Sequence, residues 1–349
     1  METVLLLVHA EPDGGLAKPA LEAAGTAKTV AGATGAALAV GLVGGELASV
    51  AARLSALGAS RIVGVAGPEF VEPRYATDAL AAEALCHATG ATVVIAPETS
   101  RWARCLQGVA QRLGGRVDTH VTAVSTVGGR LAVTRWYYRQ RMEAVLERAQ
   151  RPWLILLDPG SQPGWQGEAA PVAFERLDVA VPPEALRTRM LEVRSPKAGE
   201  QTIRPDADLL FVAGAGWTKK QPDGRTHVEE AAALILGFLR KSQASLGSSK
   251  SLVDLSGEGQ VVLPFLTHLN QVGQTGSTPR HPKGLATCCH GEEPHVVGWR
   301  FINERRAINL DPNCGWARGK ADVVYVADAF EVMAKVNALL ASRSGVERE

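Results

Sequence analysis

The sequence predicts an α/β protein of two domains, each a mainly parallel sheet with helices on both faces. Three observations lead there. From residue 4 to residue 157, short β-branched runs alternate with Ala-rich stretches, the pattern of βαβ units. A similar alternation resumes beyond a polar stretch at 184–205 that contains Pro196 and Pro205. The 349 residues are long for one domain and comfortable for two. The expected boundaries are 1–183 for the first domain, 184–205 for a linker and 206–349 for the second.

In the first domain, strands are expected at 4–9, 37–43, 61–66, 92–96 and 154–157. Helices are expected at 17–34, 45–57, 76–89 and 101–113, where apolar residues recur at helical spacing. Segments 118–127 and 131–138, split by Gly128-Gly129, read as a hairpin. The Gly-, Pro- and Gln-rich region 159–183 reads as a loop or excursion at the edge of the first unit. The second domain follows as strand 208–213, helix 226–241, strand 250–254, strands 284–289, 306–310 and 322–326, and a closing helix at 330–342.

Composition excludes several functions. A net charge of +1 argues against a nucleic-acid footprint. No apolar stretch reaches the roughly 18 residues of a membrane helix, so an integral membrane protein is not expected. Glu2 stands where a signal peptide is basic, and Glu11-Pro12-Asp13-Gly14-Gly15 forms an acidic turn directly after the first apolar run. A cytoplasmic protein is the expectation.

The five cysteines are Cys86, Cys105, Cys288, Cys289 and Cys314. An odd number does not suggest a disulfide framework, and Cys86 and Cys105 read as small core residues on helices. Cys288, Cys289 and Cys314, with His290 and His295, lack C-x-x-C spacing, and adjacent strand residues face opposite sides. No metal site is expected there. His9, His87 and His120 read as isolated surface or core-edge residues. Trp136-Tyr137-Tyr138, among Arg135, Arg139 and Arg141, reads as an exposed strand or subunit contact.

The residues that carry chemistry lie in the second half. Ala213-Gly214-Ala215-Gly216-Trp217 follows a strand but lacks the third glycine of a dinucleotide fingerprint, so a phosphate turn and a plain tight turn both stay open. Further polar clusters are Ser248-Ser249-Lys250, Gln271-Val272-Gly273-Gln274-Thr275-Gly276, the segment 291–295, Asn309-Leu310-Asp311-Pro312, and Asp328. Ligands of an open parallel sheet bind beyond its carboxyl ends, where these clusters are expected to converge on one extended ligand. No Ser-His-Asp set or lysine-nucleophile motif stands out, and no catalytic residue is assigned.

Taken together, Ser249-Lys250-Ser251-Leu252-Val253-Asp254, Gln271 to Gly276, residues 284–295, Ala307-Ile308-Asn309-Leu310-Asp311-Pro312, and Ala321-Asp322 with Asp328-Ala329-Phe330-Glu331-Val332 resemble the α subunit of the electron transfer flavoproteins. The strong resemblance covers about 208–340. It implies an adenine-nucleotide-hydrolase-like first domain that contacts a β subunit, and a DHS-like (deoxyhypusine-synthase-like) second domain that binds FAD. AMP would lie in the β partner. It also implies an electron carrier rather than an enzyme, moving single electrons from a flavin dehydrogenase to a membrane quinone oxidoreductase or similar acceptor. Carried over by position, Thr275 would sit near flavin N5. Gln271, Val272, Gly273 and Gln274 would line the isoalloxazine or pyrophosphate, with the Gly214 and Gly216 turn nearby. Ser249 would hydrogen-bond the cofactor and Lys250 supply charge. His295, beyond Gly291, would approach the O2 edge, and Asn309, Asp328 and Ala329 would hold the ADP portion.

Three departures stand against the family pattern. Gly216-Trp217 replaces an arginine, Ser249-Lys250 replaces a Ser-Arg pair and loses the guanidinium fork, and His290-Gly291-Glu292-Glu293-Pro294-His295 replaces a less acidic turn. They leave open an α-like structural subunit of a dehydrogenase complex whose FAD is lost or repositioned.

Overall fold

The computed structural model describes residues 2–137, 142–192, 203–204, 207–254, 262–272, 280–287, 302–313 and 321–346. The chain divides into two units, Met1–Val193 and Arg194–Glu349.

In the first unit, the apolar run Thr3–His9 forms β1. It is buried on both sides: Val4, Leu6 and Val8 join one core cluster, and Leu5 and Leu7 join another. That two-residue alternation between two cores is why the run reads as continuously apolar. α1 (Lys18–Thr34) opens on Pro19 and stops at Gly35, whose φ of 63° is a left-handed cap. It is followed by β2 (Ala37–Gly44), α2 (Ala48–Leu54), β3 (Arg61–Ala66), α3 (Tyr75–Thr89), β4 (Val93–Pro97) and α4 (Ser100–Arg112). The Thr99 hydroxyl caps α4 by accepting from the Trp102 amide at 3.4 Å. Then come β5 (Arg116–Val127), β6 (Arg130–Tyr137), β7 (Met142–Glu147), β8 (Trp153–Leu157) and the two-residue β9 (Glu175–Arg176).

These strands make one sheet in the order β7-β6-β5-β8-β4-β1-β2-β3-β9. It is parallel from β5 to β9, while β6 and β7 are antiparallel additions. α1 and α2 pack on one face, and α3 and α4 on the other. The buried Asp118 ties the antiparallel extension to the parallel part. It accepts from Arg148, from Arg135 at 3.1 Å and from the Trp153 indole at 2.9 Å. Burial alone pushes this carboxyl up, but the bonds from Arg148 and Trp153 outweigh it and hold the group below the usual carboxylate range.

The expected hairpin is present, and it gains a third strand, β7, whose Met142 and Val145 are exposed. Residues 159–183 run to the edge of the sheet, where β9 pairs with β3. One expectation is corrected in part. The Trp136-Tyr137 strand is not exposed on both sides, because Trp136 faces inward while Tyr137 faces solvent. Cys86 and Cys105 are buried on helices, and burial pushes both thiols up to about 12.

The second unit holds a five-stranded sheet. β10 (Leu209–Ala213) leads to α5 (Val228–Ser242), β11 (Ser245–Ser248), the single turn α6 (Lys250–Asp254), β12 (His281–Thr287), β13 (Ile302–Asn309), β14 (Val323–Val326) and α7 (Ala329–Val346). The order is β11-β10-β12-β13-β14, every pair parallel. Asn337 latches α7 to α5 by donating to the Leu234 carbonyl at 2.9 Å and accepting from Lys241 at 3.0 Å.

One strand was misplaced by the sequence reading. Residues 250–254 are a helical turn, and the strand is the preceding Ser245-Leu246-Gly247-Ser248. Small and polar residues disguised a strand that is fully buried. Leu252 and Val253, apolar neighbours that read as strand in the sequence, pack into the core from one turn of helix.

His9 ends β1 in a buried position, 5.8 Å from the Trp102 ring centroid. Burial first, and the Arg101 charge second, lower its pKa from 6.5 to about 4, while Glu11 stands 3.6 Å from Nδ1. Between those pH values the unfolded chain binds a proton that the folded chain refuses. The contribution of His9 is intact above pH 6.5 and lost as pH falls towards 4, a change on the order of 3 kcal/mol. Urea unfolding at stepped pH should show His9→Gln less acid-sensitive than the parent by that order, and parallel curves would contradict the assignment.

Candidate functional site

Parallel pairing sends all five carboxyl ends of the second sheet to one edge. At β11, the Ser249 amide donates to the Ala213 carbonyl at 2.9 Å, which locks the start of α6 onto the end of β10. The side-chain oxygens of Ser248 and Ser249 are both buried and have no hydrogen-bond partner among the described residues. A buried hydroxyl without a partner costs on the order of 1–3 kcal/mol. Lys250 follows on the surface of the same turn.

Gln271 and Val272 run beside this end. Gln271 bridges Ser248 in parallel, and the Val272 amide donates to the Ser248 carbonyl at 3.1 Å. Their entry is fixed by a capping box in which Thr267 and Asn270 bond reciprocally. The buried Asn270 side chain also donates to the Leu246 carbonyl at 3.2 Å. Val272 packs so closely that a Cβ on Gly247 would lie 2.8 Å from its Cγ1.

The turn after β10 is a short 3-10 helix, Ala215–Thr218. The Gly214 amide donates to Thr287 at 2.9 Å, and the Trp217 and Lys219 amides donate within the turn at 3.3 Å each. Those three amides therefore serve the fold. Trp217 is fully buried; its indole donates to the Thr287 hydroxyl at 2.8 Å, and its ring lies 4.6 Å from that of Phe330. The tryptophan turns in and cements β10, β12 and α7.

Beyond β13 and β14, a narrow cleft is lined by Gly216, Gln221, Asn309, Asp328, Ala329 and Phe330. Asn309 is buried, and its Oδ1 accepts from the Asp311 amide at 3.1 Å, which shapes the loop. Asp328 caps α7 by accepting from the Phe330 amide at 2.7 Å.

Of the residues singled out from sequence, Ser249, Lys250, Gln271 and Val272 gather at the β11 end. Gly216, Asn309, Asp328 and Ala329 gather around the cleft, and Gly214 stands at the end of β10 between them. Gly273, Gln274, Thr275, Gly291 and His295 lie outside the described residues, as do Cys288, Cys289, His290, Cys314 and Tyr138. Sequence reasoning missed the roles of Asn270, Thr287 and Gln221. The Thr267-x-x-Asn270 spacing was the available signal for the first.

This packing makes a direct expectation. Gly247→Ala should destabilise the second unit by about 1–3 kcal/mol through overpacking against Val272, read as a lower urea midpoint. An unchanged midpoint would mean that Val272 does not lie against the strand.

Residues 4–182 match the Electron transfer flavoprotein domain family. That match falls on the first unit, whereas the motifs that suggested the family lie in the second. The chain is also similar to the electron transfer flavoprotein subunit alpha of Thermoanaerobacterium thermosaccharolyticum, with 25% identity over 232 residues. The alignment covers 64% of this chain and 64% of that protein's length. No helix among the described residues is long and apolar enough to cross a membrane. With more than half of its length matched, the chain belongs to the electron transfer flavoprotein family, as a divergent α-like member.

Proposed function

We propose that this chain is the α subunit of a heterodimeric electron transfer flavoprotein that carries FAD at the carboxyl edge of its second sheet. The observation that supports this reading is the buried hydroxyl of Ser249, which has no hydrogen-bond partner among the described residues and follows Ser248, the residue that pairs with Gln271. At a sheet's carboxyl edge, a bound ligand or water can complete the bonding of such a group. Gly216, Asn309, Asp328 and Ala329 form the far end of the same edge. From β11 to β14 the edge spans four strand spacings, roughly 19 Å, which suits a dinucleotide better than a mononucleotide.

In this reading Ser249 donates to the flavin end and Lys250 places a positive charge beside it. Thr275 and His295 complete the flavin surroundings, with Gly273, Gln274 and Gly291 close to the ring or pyrophosphate. Asn309, Asp328 and Ala329 hold the ADP end. The bound flavin supplies one-electron chemistry. The first unit meets a β subunit that holds AMP. Electrons pass from a flavin dehydrogenase to a membrane quinone oxidoreductase or a comparable acceptor. The chain works as a carrier in the cytoplasm and transforms no substrate of its own.

A second reading rests on the turn after β10. Three of its amides are spent on protein carbonyls, and Trp217 is buried where a phosphate-binding group is expected. On that reading the chain is a structural α-like subunit without FAD in the family position. The visible spectrum of the complex purified with its β partner separates the two readings, since flavin bands support the carrier and a colourless complex supports the scaffold.

Two outcomes are expected. Acid release and chromatography should recover FAD, and FMN alone would refute the dinucleotide assignment. Ser249→Ala should weaken FAD retention about tenfold, near 1.4 kcal/mol, while leaving the flavin-free protein at least as stable as the parent. A loss of flavin-free stability with unchanged retention would make Ser249 structural.

A further inference from the structure

We infer that Glu98, His120 and Asp158 form a binding site for one divalent transition-metal ion at the carboxyl edge of the first sheet. One donor atom from each of these side chains lies within 4.8 Å of the others. They come from three neighbouring strands: Glu98 directly follows β4, Asp158 directly follows β8, and His120 lies within β5, in the order β5-β8-β4.

The frame holds these positions firmly. The Glu98 amide donates to the Leu157 carbonyl at 2.8 Å, and the Asp158 amide donates to the Val121 carbonyl at 2.8 Å. Both carboxylates are thus pinned to adjacent strands at their own backbone. His120 sits where the pairing of β5 with β8 shifts register between Asp118 and Val121, and its φ is 54°. A bulge re-aims the side chain it carries, and here the imidazole meets Glu98. The His120 amide also donates to Glu98 Oε2 at 2.5 Å, which leaves Oε1 turned to the imidazole Nδ1 at 3.3 Å.

That 3.3 Å separation is one of the three donor–donor edges and has the length of a tetrahedral edge, and all three donors lie within 4.8 Å of one another. Metal–nitrogen and metal–oxygen bonds of about 2.0–2.1 Å give donor–donor edges of about 3.3–3.4 Å. Two carboxylates and a neutral imidazole carry two negative charges, which one divalent ion balances. Among the described residues, Arg135 is a cation whose charge reaches Glu98, and it is already bonded to Asp118 at 3.1 Å. An imidazole in the set selects a zinc-like ion over magnesium or calcium. The Glu98 side chain is 10% exposed and that of His120 is 58% exposed, so the ion would be anchored from within and open to water on its outer side. Three protein ligands and an open position make a site able to bind a further small ligand. The donors are far apart in sequence, so no motif announced them, and His120 is not the isolated residue it appears from sequence.

The test uses the full-length chain with any flavin and partner that accompany it. The protein is stripped with a chelator and titrated with Co²⁺, followed by visible d–d absorption, with Zn²⁺ as competitor. One Co²⁺ per chain is expected, without sulfur-to-metal charge-transfer bands, which distinguishes this site from one using the cysteines. His120→Ala and Glu98→Gln should each weaken binding at least about tenfold, while His87→Ala should leave it unchanged. The exposed His120 is the safer substitution, with circular dichroism to establish folding. Absence of d–d absorption, thiolate bands, or equal affinity in folded His120→Ala would each overturn the assignment.

Discussion

The second unit depends on one constraint: five strands all point the same way. At the buried side of the sheet this makes β10 and β11 apolar or small on both faces, while β12, β13 and β14 keep exposed residues such as Lys283, Glu304 and Val326. Parallel pairing also delivers every strand's last residue to one edge, where backbone groups run out of ladder partners. Ser248 and Ser249, the Gly214 turn, Asn309 and Asp328 all stand on that edge because of strand direction alone. The loop Gln271-Val272 joins them by pairing with β11 through Ser248. A ligand laid along the edge meets groups that are far apart in sequence without any strand needing to bend.

Much of this was legible beforehand. The first unit's parallel strands announced themselves because Val, Ile and Leu fill both faces, and the hairpin because Gly128-Gly129 interrupts it. The second sheet was legible where its strands are apolar, as at Leu209–Ala213. It was illegible at Ser245–Ser248, where burial is achieved with small residues, and Leu252-Val253 imitated the missing strand. The polar residues of the candidate site could be named from their place after strands. What could not be read was which of them the fold itself consumes. Asp328 spends an oxygen on capping α7, and the Gly214 amide is spent on Thr287.

The turn after β10 is closed from within by Trp217, which is fully buried. The indole bonds Thr287, which in turn donates to the Val212 carbonyl at 3.1 Å, and the ring packs on Phe330. The turn is thereby a rivet between β10, β12 and α7.

The two edges of the first sheet differ in kind. At one side β9 contributes only two residues, too short to template further pairing. At the other, β7 is terminal among the described residues, with Met142 and Val145 exposed and interleaved with Glu143 and Glu147. Such an edge invites edge-to-edge association between copies, and the charges along it, Glu143 and the Arg130–Glu147 pair at 3.0 Å, discourage it because pairing would strip their water. That defence weakens in acid, where protonation removes the carboxylate charge. The tendency of copies to pair edge to edge is thereby governed by one short strand of the first sheet.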